Sequence, residues 1–242
     1  MAKIRLDVLV AQLGLCDSRE QAQRLILAGE VSVKGQIVTK SGTKIDEDLP
    51  ITLKNKPKYV SRGGLKMEGG LAAFPVSPEG KICLDIGSST GGFTDCLLQN
   101  GALRVHAVDV GTNQMVWKLR NDPRVILKEQ FNARYMTADD LGEKAQLIVS
   151  DVSFISLTKI LPAAKACMAE GGDMIVLIKP QFELQPEDIG PGGIVRDPLL
   201  HQRAVEKIKT FVTEELDLEW MGLEPSPIKG MEGNVEFLAW FR

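Results

Sequence analysis

The sequence predicts an α/β fold: an open, mostly parallel sheet flanked by helices, preceded by a smaller α+β domain. Three observations carry this expectation. Residues 81–93, Lys-Ile-Cys-Leu-Asp-Ile-Gly-Ser-Ser-Thr-Gly-Gly-Phe, run from an apolar strand into a loop of small residues and on to a helix start. That order lets backbone come close to a ligand. Beyond Asp109, short apolar runs alternate with amphipathic stretches, as parallel strands joined by helices require. Charge is also uneven: residues 1–66 hold 12 Lys/Arg against 7 Asp/Glu, and residues 67–242 hold 17 against 25. A basic head on an acidic body points to a polyanion partner for the head.

The totals exclude several classes. A chain of 242 residues, 44% apolar and 25% charged, can bury a substantial core in one domain or two. No apolar run approaches the roughly 20 residues of a membrane helix. Arg5 and Asp7 interrupt the N-terminal stretch where a signal peptide would need its apolar centre, so a cytoplasmic location is expected. Cys16, Cys83, Cys96 and Cys167 have no paired spacing, which predicts neither a disulfide framework nor a metal site.

In chain order, Leu6, Leu9, Val10 and Leu13 recur at helical spacing, and Gly14 is placed to stop that helix. Ser18 and Gln21 form a capping box for a second helix, with Ala22, Leu25 and Ile26 inward and Gly29 as its end. Alternation at Val31, Val33 and Ile37, Thr39 around Lys34-Gly35-Gln36 predicts two short strands and a tight turn, with a last strand over residues 51–53. Residues 54–58 and 59–64, basic and then glycine-rich, read as a linker, which predicts domains at 1–58 and 65–242. A helix follows from about residue 65 past Leu71. Strands are expected at 82–86, 104–108, 125–127, 147–149, 174–178, 218–221 and 235–241, and helices at 113–119, 157–168 and 199–215. The last of the inner runs, 174–178, is wholly apolar, as a buried central strand should be. Residues 186–197 read as a mobile loop at the strand tips.

The loop has Gly87, Gly91 and Gly92, but Ser89 where a dinucleotide fingerprint has its second glycine. Asp109 ends the next apolar run 22 residues after Gly87, where a carboxylate can take both hydroxyls of a ribose. Asp-x-Gly-x-x-x-Gly-Gly followed by that acid resembles the S-adenosylmethionine loop of Rossmann-like methyltransferases. Seven strands with a terminal hairpin is likewise their sheet. The resemblance implies S-adenosylmethionine as cofactor, with Gly87, Ser88, Ser89, Gly91, Gly92 and Phe93 on its methionine and ribose side. It also implies Asp109 at the ribose, Asp85 at the loop or the methionine ammonium, and Asn132 on the adenine side.

Arg5-Leu6-Asp7, Asp17-Ser18-Arg19-Glu20, Ile26-Leu27-Ala28-Gly29 and Val33-Lys34-Gly35 resemble the RNA-binding module named for ribosomal small-subunit protein four. That implies phosphate contacts from Arg5, Arg19, Arg24 and Lys34, joined by Arg62 beyond the module. Asp151-Val-Ser-Phe, Ile178-Lys179-Pro-Gln-Phe-Glu, Ser61-Arg-Gly-Gly-Leu-Lys66 and Gly233-Asn-Val-Glu236 look like the TlyA family of rRNA 2′-O-methyltransferases, often labelled haemolysin-like. The family's Lys-Asp-Lys-Glu tetrad, shared with FtsJ-like ribose methyltransferases, falls on Lys66, Asp151, Lys179 and Glu236. Glu232 lies close enough to leave the register of the last position open.

These residue types suit the chemistry. A ribose 2′-hydroxyl must lose its proton as it attacks a methyl group. A lysine whose ammonium is weakened by burial and a second cation can act as base or stabilise the developing alkoxide. Lys179 is expected in that role, with Lys66 as the second cation and Asp151 and Glu236 holding both. An amine-directed methyltransferase would carry Asn/Asp-Pro-Pro-Tyr/Phe where Asp151-Val-Ser-Phe stands, and no cysteine lies at a strand tip for carbon methylation. The expected partners are ribosomal RNA or ribosomal subunits, and cytidine is the nucleotide the resemblance implies. The other readings are a non-catalytic RNA-binding or ribosome-assembly factor and a membrane-lytic protein. The latter lacks a spanning segment or a strongly basic amphipathic helix.

Overall fold

The computed structural model describes residues 3–13, 15–16, 18–54, 57–230 and 233–242. Gly14, Asp17, Lys56 and Glu232, all within motifs or segments named above, lie outside the described residues. The chain divides into two compact units, Met1–Lys58 and Tyr59–Arg242.

The first unit runs β1 (Lys3–Arg5), α1 (Leu6–Gln12), α2 (Arg19–Leu27), β2 (Val31–Val33), β3 (Gln36–Ile37), β4 (Lys44–Asp46) and β5 (Ile51–Leu53). Ser18 caps α2, its hydroxyl accepting the Gln21 amide at 3.2 Å. Lys34 and Gly35 both take left-handed φ, the backbone of a two-residue hairpin turn between β2 and β3. Leu6, Leu9, Val10, Ala22, Ile26, Val31, Val33 and Ile45 close a core of their own. The antiparallel β1–β4 pair goes beyond the sequence expectation, because three-residue strands of alternating charge carry no readable period.

Asp7 is fully buried at the start of α1. Its carboxylate accepts two bonds from Arg5 (3.0 and 2.9 Å), one from Arg19 (3.0 Å) and one from Gln23 (2.8 Å). Arg19 and Gln23 do share a helix side, as their spacing requires. That side leans on the buried carboxylate of Asp7, while the Arg19 side chain stays half exposed.

The second unit runs α3 (Gly63–Ala73), β6 (Ile82–Ile86), α4 (Gly92–Gln99), β7 (Arg104–Val108), α5 (Trp117–Arg120), β8 (Val125–Lys128), α6 (Ala138–Leu141), β9 (Ala145–Ser150), α7 (Leu161–Ala166), β10 (Met168–Ile178), α8 (Pro180–Glu183), α9 (Pro198–Thr210), β11 (Trp220–Pro225) and β12 (Phe237–Phe241). The seven strands order as β11-β12-β10-β9-β6-β7-β8, and β12 alone runs opposite to the rest, antiparallel to both β10 and β11. Alternate residues feed two cores: Leu84, Ile86, Ile148, Val176 and Ile178 on one face, Cys83, Leu147, Val149, Ile175 and Leu177 on the other. The order reverses between β6 and β9, so the crevice beyond their carboxyl ends is where this architecture binds ligands.

Several expected boundaries move. The 113–119 helix shrinks to α5, because Asn113 takes a left-handed φ of +54° and the Val116 amide, which would close the first helical turn, donates to Thr90 O at 3.3 Å instead. The 157–168 helix is a 3-10 turn (Leu157–Lys159) and then α7, and β10 already begins at Met168, ahead of Gly171 and Gly172. The 186–197 loop contains two 3-10 turns and a bridge between Gly190 and Ile194. Strand 218–221 becomes β11, and the final strand starts at Phe237, leaving Glu236 just outside it. Residues 59–64 belong with the second unit: Tyr59 is buried in its core, and Asp95 accepts the Val60 amide at 2.9 Å. Cys83 and Cys167 are buried free thiols.

The Asp7 hub sets a pH dependence. Its guanidinium partners hold the Asp7 carboxyl well below the usual carboxylate range, against the opposing effect of burial. The folded chain then resists the proton that the unfolded chain accepts near pH 4, so stability from this group is present above about pH 4 and lost below it. Amide exchange at Val10 should accelerate as pH falls through that range, after correction for intrinsic rates. Asp7→Asn should lower local stability by about 2 to 3 kcal/mol at pH 7 and flatten the acid dependence.

Candidate active site

The carboxyl end of β6 turns sharply. The Gly87 and Ser88 amides both donate to Val108 O, at 2.9 and 3.2 Å, and Gly91 N closes on Ser88 O at 2.8 Å. Gly91 has φ +96°, and a side chain there would meet Leu119 Cδ1 at 2.4 Å, so only glycine serves. Asp109 braces the loop from the end of β7: Oδ2 accepts Ser89 N at 2.8 Å and Oδ1 accepts Gly111 N at 2.7 Å. Each oxygen keeps a lone pair for a further donor such as a ribose hydroxyl. Asp85, in β6, is fully buried and accepts from the Thr94 hydroxyl at 2.6 Å. Burial pushes its carboxyl up to about 7, partly offset by the Thr94 bond and reinforced by the charge of Asp151. Asp85 Oδ1 and Ser88 Oγ are buried without a hydrogen-bond partner among the described residues. Of the two, Ser88 lines the open side of the turn, and an orphaned hydroxyl there fits a ligand with polar groups such as S-adenosylmethionine, which carries an ammonium and two ribose hydroxyls.

Beyond the loop, four charged side chains from separate elements meet. Lys66 lies on α3, Asp151 just past β9, Lys179 just past β10, and Glu236 just before β12. Lys179 Nζ is 2.6 Å from Asp151 Oδ1; Lys66 Nζ is 3.4 Å from Asp151 Oδ2 and 2.7 Å from Glu236 Oε2. Lys66 and Lys179 are only 8% and 7% exposed and Glu236 3%, so none is an ordinary surface charge. Two ammoniums and two carboxylates in a row leave the group without net charge. Lys179 also donates to Ser153 Oγ at 2.8 Å.

The approach to Glu236 depends on Gly230, where a Cβ would stand 2.1 Å from Glu236 Oε1. Asn234 is buried and fastens the loop beside it, accepting Val195 N and donating to Gly193 O, both at 3.0 Å. Loop, quartet and these segments line one cavity of about 600 Å3, large enough for a drug-sized ligand. At its mouth Phe154 is 89% exposed with φ +64°, and its ring tilts over Phe182 at 5.1 Å between centroids. An exposed ring in that strained conformation offers a flat face to a planar ligand.

The cavity wall thus includes Gly87, Ser88, Ser89, Gly92 and Phe93 of the expected loop residues and all four of the expected quartet. Gly91 and Asp85 support the loop from beneath. Asn132 is exposed, outside the cavity wall, and caps a 3-10 turn, its Oδ1 accepting Arg134 N at 3.1 Å. Arg62 lines the cavity and donates to Lys229 O at 2.9 Å. In the first unit Arg24 and Lys34 are exposed, while Arg5 and Arg19 are half exposed and tied to Asp7. Sequence pattern assigns no role to Ser153, Phe154, Phe182 or Asn234. Their one signal is adjacency: each sits inside a quoted motif, one to three residues from a charged member.

Comparison with known proteins follows the same division. Residues 59–242 match the FtsJ-like methyltransferase family and residues 4–51 the S4 domain. The Bacillus subtilis protein YqxC is 50% identical over 98% of this chain and 84% of its own. A Mycobacterium tuberculosis protein named 16S/23S rRNA (cytidine-2′-O)-methyltransferase TlyA is 42% identical over 99% of this chain and 90% of its own. A solved Streptococcus thermophilus structure bearing the hemolysin label superposes with a TM-score of 0.76 at 48% identity, covering 100% of this chain and 88% of that one.

The raised Asp85 carboxyl has a consequence for the ligand-free protein. Between about pH 4 and 7 the folded chain keeps a proton that the unfolded chain has released, so this group lowers stability as pH rises through that window. Asp85→Asn, which can still accept from Thr94, should therefore raise stability at pH 8, by up to about 4 kcal/mol, and much less at pH 4.5. Thermal unfolding at the two pH values measures the difference.

Proposed function

We propose, from the premise that this chain belongs to the FtsJ-like methyltransferase family and uses S-adenosylmethionine, that it methylates ribose 2′-hydroxyls of ribosomal RNA. The observation that carries this reading is the buried Lys66–Asp151–Lys179–Glu236 quartet beside the glycine loop, in one cavity. The name of the M. tuberculosis relative supports rRNA as substrate and cytidine as the nucleotide. The S4 match over residues 4–51 supports an RNA-binding role for the first unit, with the transferase in residues 59–242.

S-adenosylmethionine, when bound, supplies an electrophilic methyl group. Gly87, Ser88, Ser89, Gly92 and Phe93 shape its seat, Gly91 and Asp85 support that loop from beneath, and Asp109 takes the ribose hydroxyls; Asn132, outside the cavity wall, is not given the adenine-side contact expected of it. Lys179 acts on the acceptor: once its ammonium has given a proton to solvent, the neutral Nζ takes the 2′-hydroxyl proton, and the ammonium so re-formed stays beside the oxygen as charge develops there. Ser153 and Asp151 fix that Nζ from two directions. Lys66, anchored by Glu236, adds a second positive charge to the same oxygen. A cavity that fixes the oxygen in line with the methyl contributes through alignment as much as through charge. Phe154 gives the nucleobase a stacking face. Arg62 at the wall, and Arg5, Arg19, Arg24 and Lys34 in the first unit, hold phosphates.

A lytic role finds no support in the helices: none among the described residues is long and apolar enough to cross a membrane. A ribosome-directed enzyme is expected to work in the cytoplasm.

Transfer of labelled methyl from S-adenosylmethionine to ribosomal RNA tests the reading directly. Lys179→Ala should lower turnover by at least about a hundredfold while leaving cofactor affinity unchanged; undiminished turnover would refute the role assigned to it. Replacing both Arg24 and Lys34 by alanine should weaken RNA binding without changing cofactor affinity. It should also reduce the slope of log affinity against log salt by about one for each phosphate no longer neutralised.

A further inference from the structure

We infer that Glu183 is a positioning residue, a buried carboxylate that locks together the two strand-tip segments carrying Asp151 and Lys179. Glu183 ends α8 and closes the run Ile178-Lys179-Pro-Gln-Phe-Glu, yet it does not line the cavity. It is 4% exposed, so its charge must be satisfied within the fold. Oε1 accepts the Leu157 amide at 2.8 Å. Oε2 accepts the Ser156 hydroxyl at 2.5 Å and the Lys207 ammonium at 3.2 Å. Its backbone carbonyl accepts Lys207 as well, at 2.6 Å.

These bonds tie two loop segments directly to each other. Ser156 and Leu157 end the irregular segment that leaves β9 and carries Asp151, Ser153 and Phe154. Glu183 itself ends the segment that leaves β10 and carries Lys179, Gln181 and Phe182. Lys207 brings in α9 as a third anchor. Across this bridge lie the contacts that form the reacting wall: Lys179 to Asp151, Lys179 to Ser153, and the Phe154–Phe182 ring pair. Residues 151–156 contain no regular element of their own, and Phe154 sits in a left-handed conformation. Such a segment keeps a position only where outside bonds impose it. A carboxylate suits the task because it accepts from an amide, a hydroxyl and an ammonium at once, whereas a carboxamide has one acceptor oxygen and presents donors to the rest.

The catalytic consequence rests on the methyl-transfer reading; the mechanical one does not, and the experiment separates them. On the full chain, amide exchange is followed in wild type, Glu183→Gln and the more disruptive Glu183→Ala. Exchange at Leu157 and across 152–157 should rise at least about tenfold in Glu183→Gln, while β6 and the loop to Phe93 stay at the wild-type rate. In the methyl-transfer assay kcat should fall between about ten- and a hundredfold, with cofactor Kd and RNA KM within about twofold of wild type. A general loss of folding would instead raise exchange in β6 and weaken cofactor binding together, and would overturn the assignment, as would wild-type exchange at 152–157. Raised exchange with undiminished kcat would also overturn it. If wild type itself transfers no methyl group, the functional reading fails, and the exchange pattern still decides whether Glu183 locks the segments.

Discussion

Two lysine side chains, each less than a tenth exposed, stand at one edge of the sheet, and each is paired there with a carboxylate. Much of the second unit's local architecture answers that constraint. Parallel β9 and β10 bring Asp151 and Lys179 side by side at their carboxyl ends, where the ammonium and the carboxylate meet at 2.6 Å. The antiparallel return of β12 delivers Glu236 to the same edge, and α3 brings Lys66 across to both acids. The group is neutral as a whole but locally polarised, so a hydroxyl placed against it would meet fixed positive charge without solvent reorganisation.

A second level of support is polar but lies out of the cavity wall. Asp109 braces the glycine loop through the Ser89 amide while its other oxygen holds the Gly111 amide of its own turn, and Asn234 pins the 190–195 segment against the approach to Glu236. Glu183 does the same for the β9 and β10 tips. In each case one buried or half-buried side chain bonds backbone of a different segment, which fixes irregular chain more effectively than apolar contact, because hydrogen bonds have direction. The first unit uses the device at Asp7, whose carboxylate gathers Arg5, Arg19 and Gln23. Two guanidiniums are held that way with about half of each side chain still exposed.

Particular residues show how far the sequence alone can be read. Strand β6, the loop and α4 are legible because an apolar run, three glycines and a helical pattern follow one another within a score of positions. The α5 region is not. Its 113–119 stretch has helical composition, but Asn113 is left-handed and the Val116 amide, which would have closed the first helical turn, bonds Thr90 O instead. Likewise Gly171 and Gly172 look like a helix stop, whereas the helix has already ended and Met168 pairs with Ala145 across β10 and β9. Propensity yields to tertiary hydrogen bonding in both places.

The order of residue types along the chain is enough to settle the α/β class, the succession of strands and helices, and the kinds of groups available at the strand tips. Those properties are local: hydrophobic period, turn residues and charge are all written in neighbouring positions. Which lysine faces which carboxylate, that Glu236 stands just outside its strand, that Arg19 leans on Asp7, and that Phe154 is turned outward beside Phe182 are decided only by the folded chain. The pairs among them join segments far apart along the chain, in the case of Lys66 and Glu236 from opposite ends of the second unit. Such pairings are set by strand order and packing, which no short window of sequence encodes.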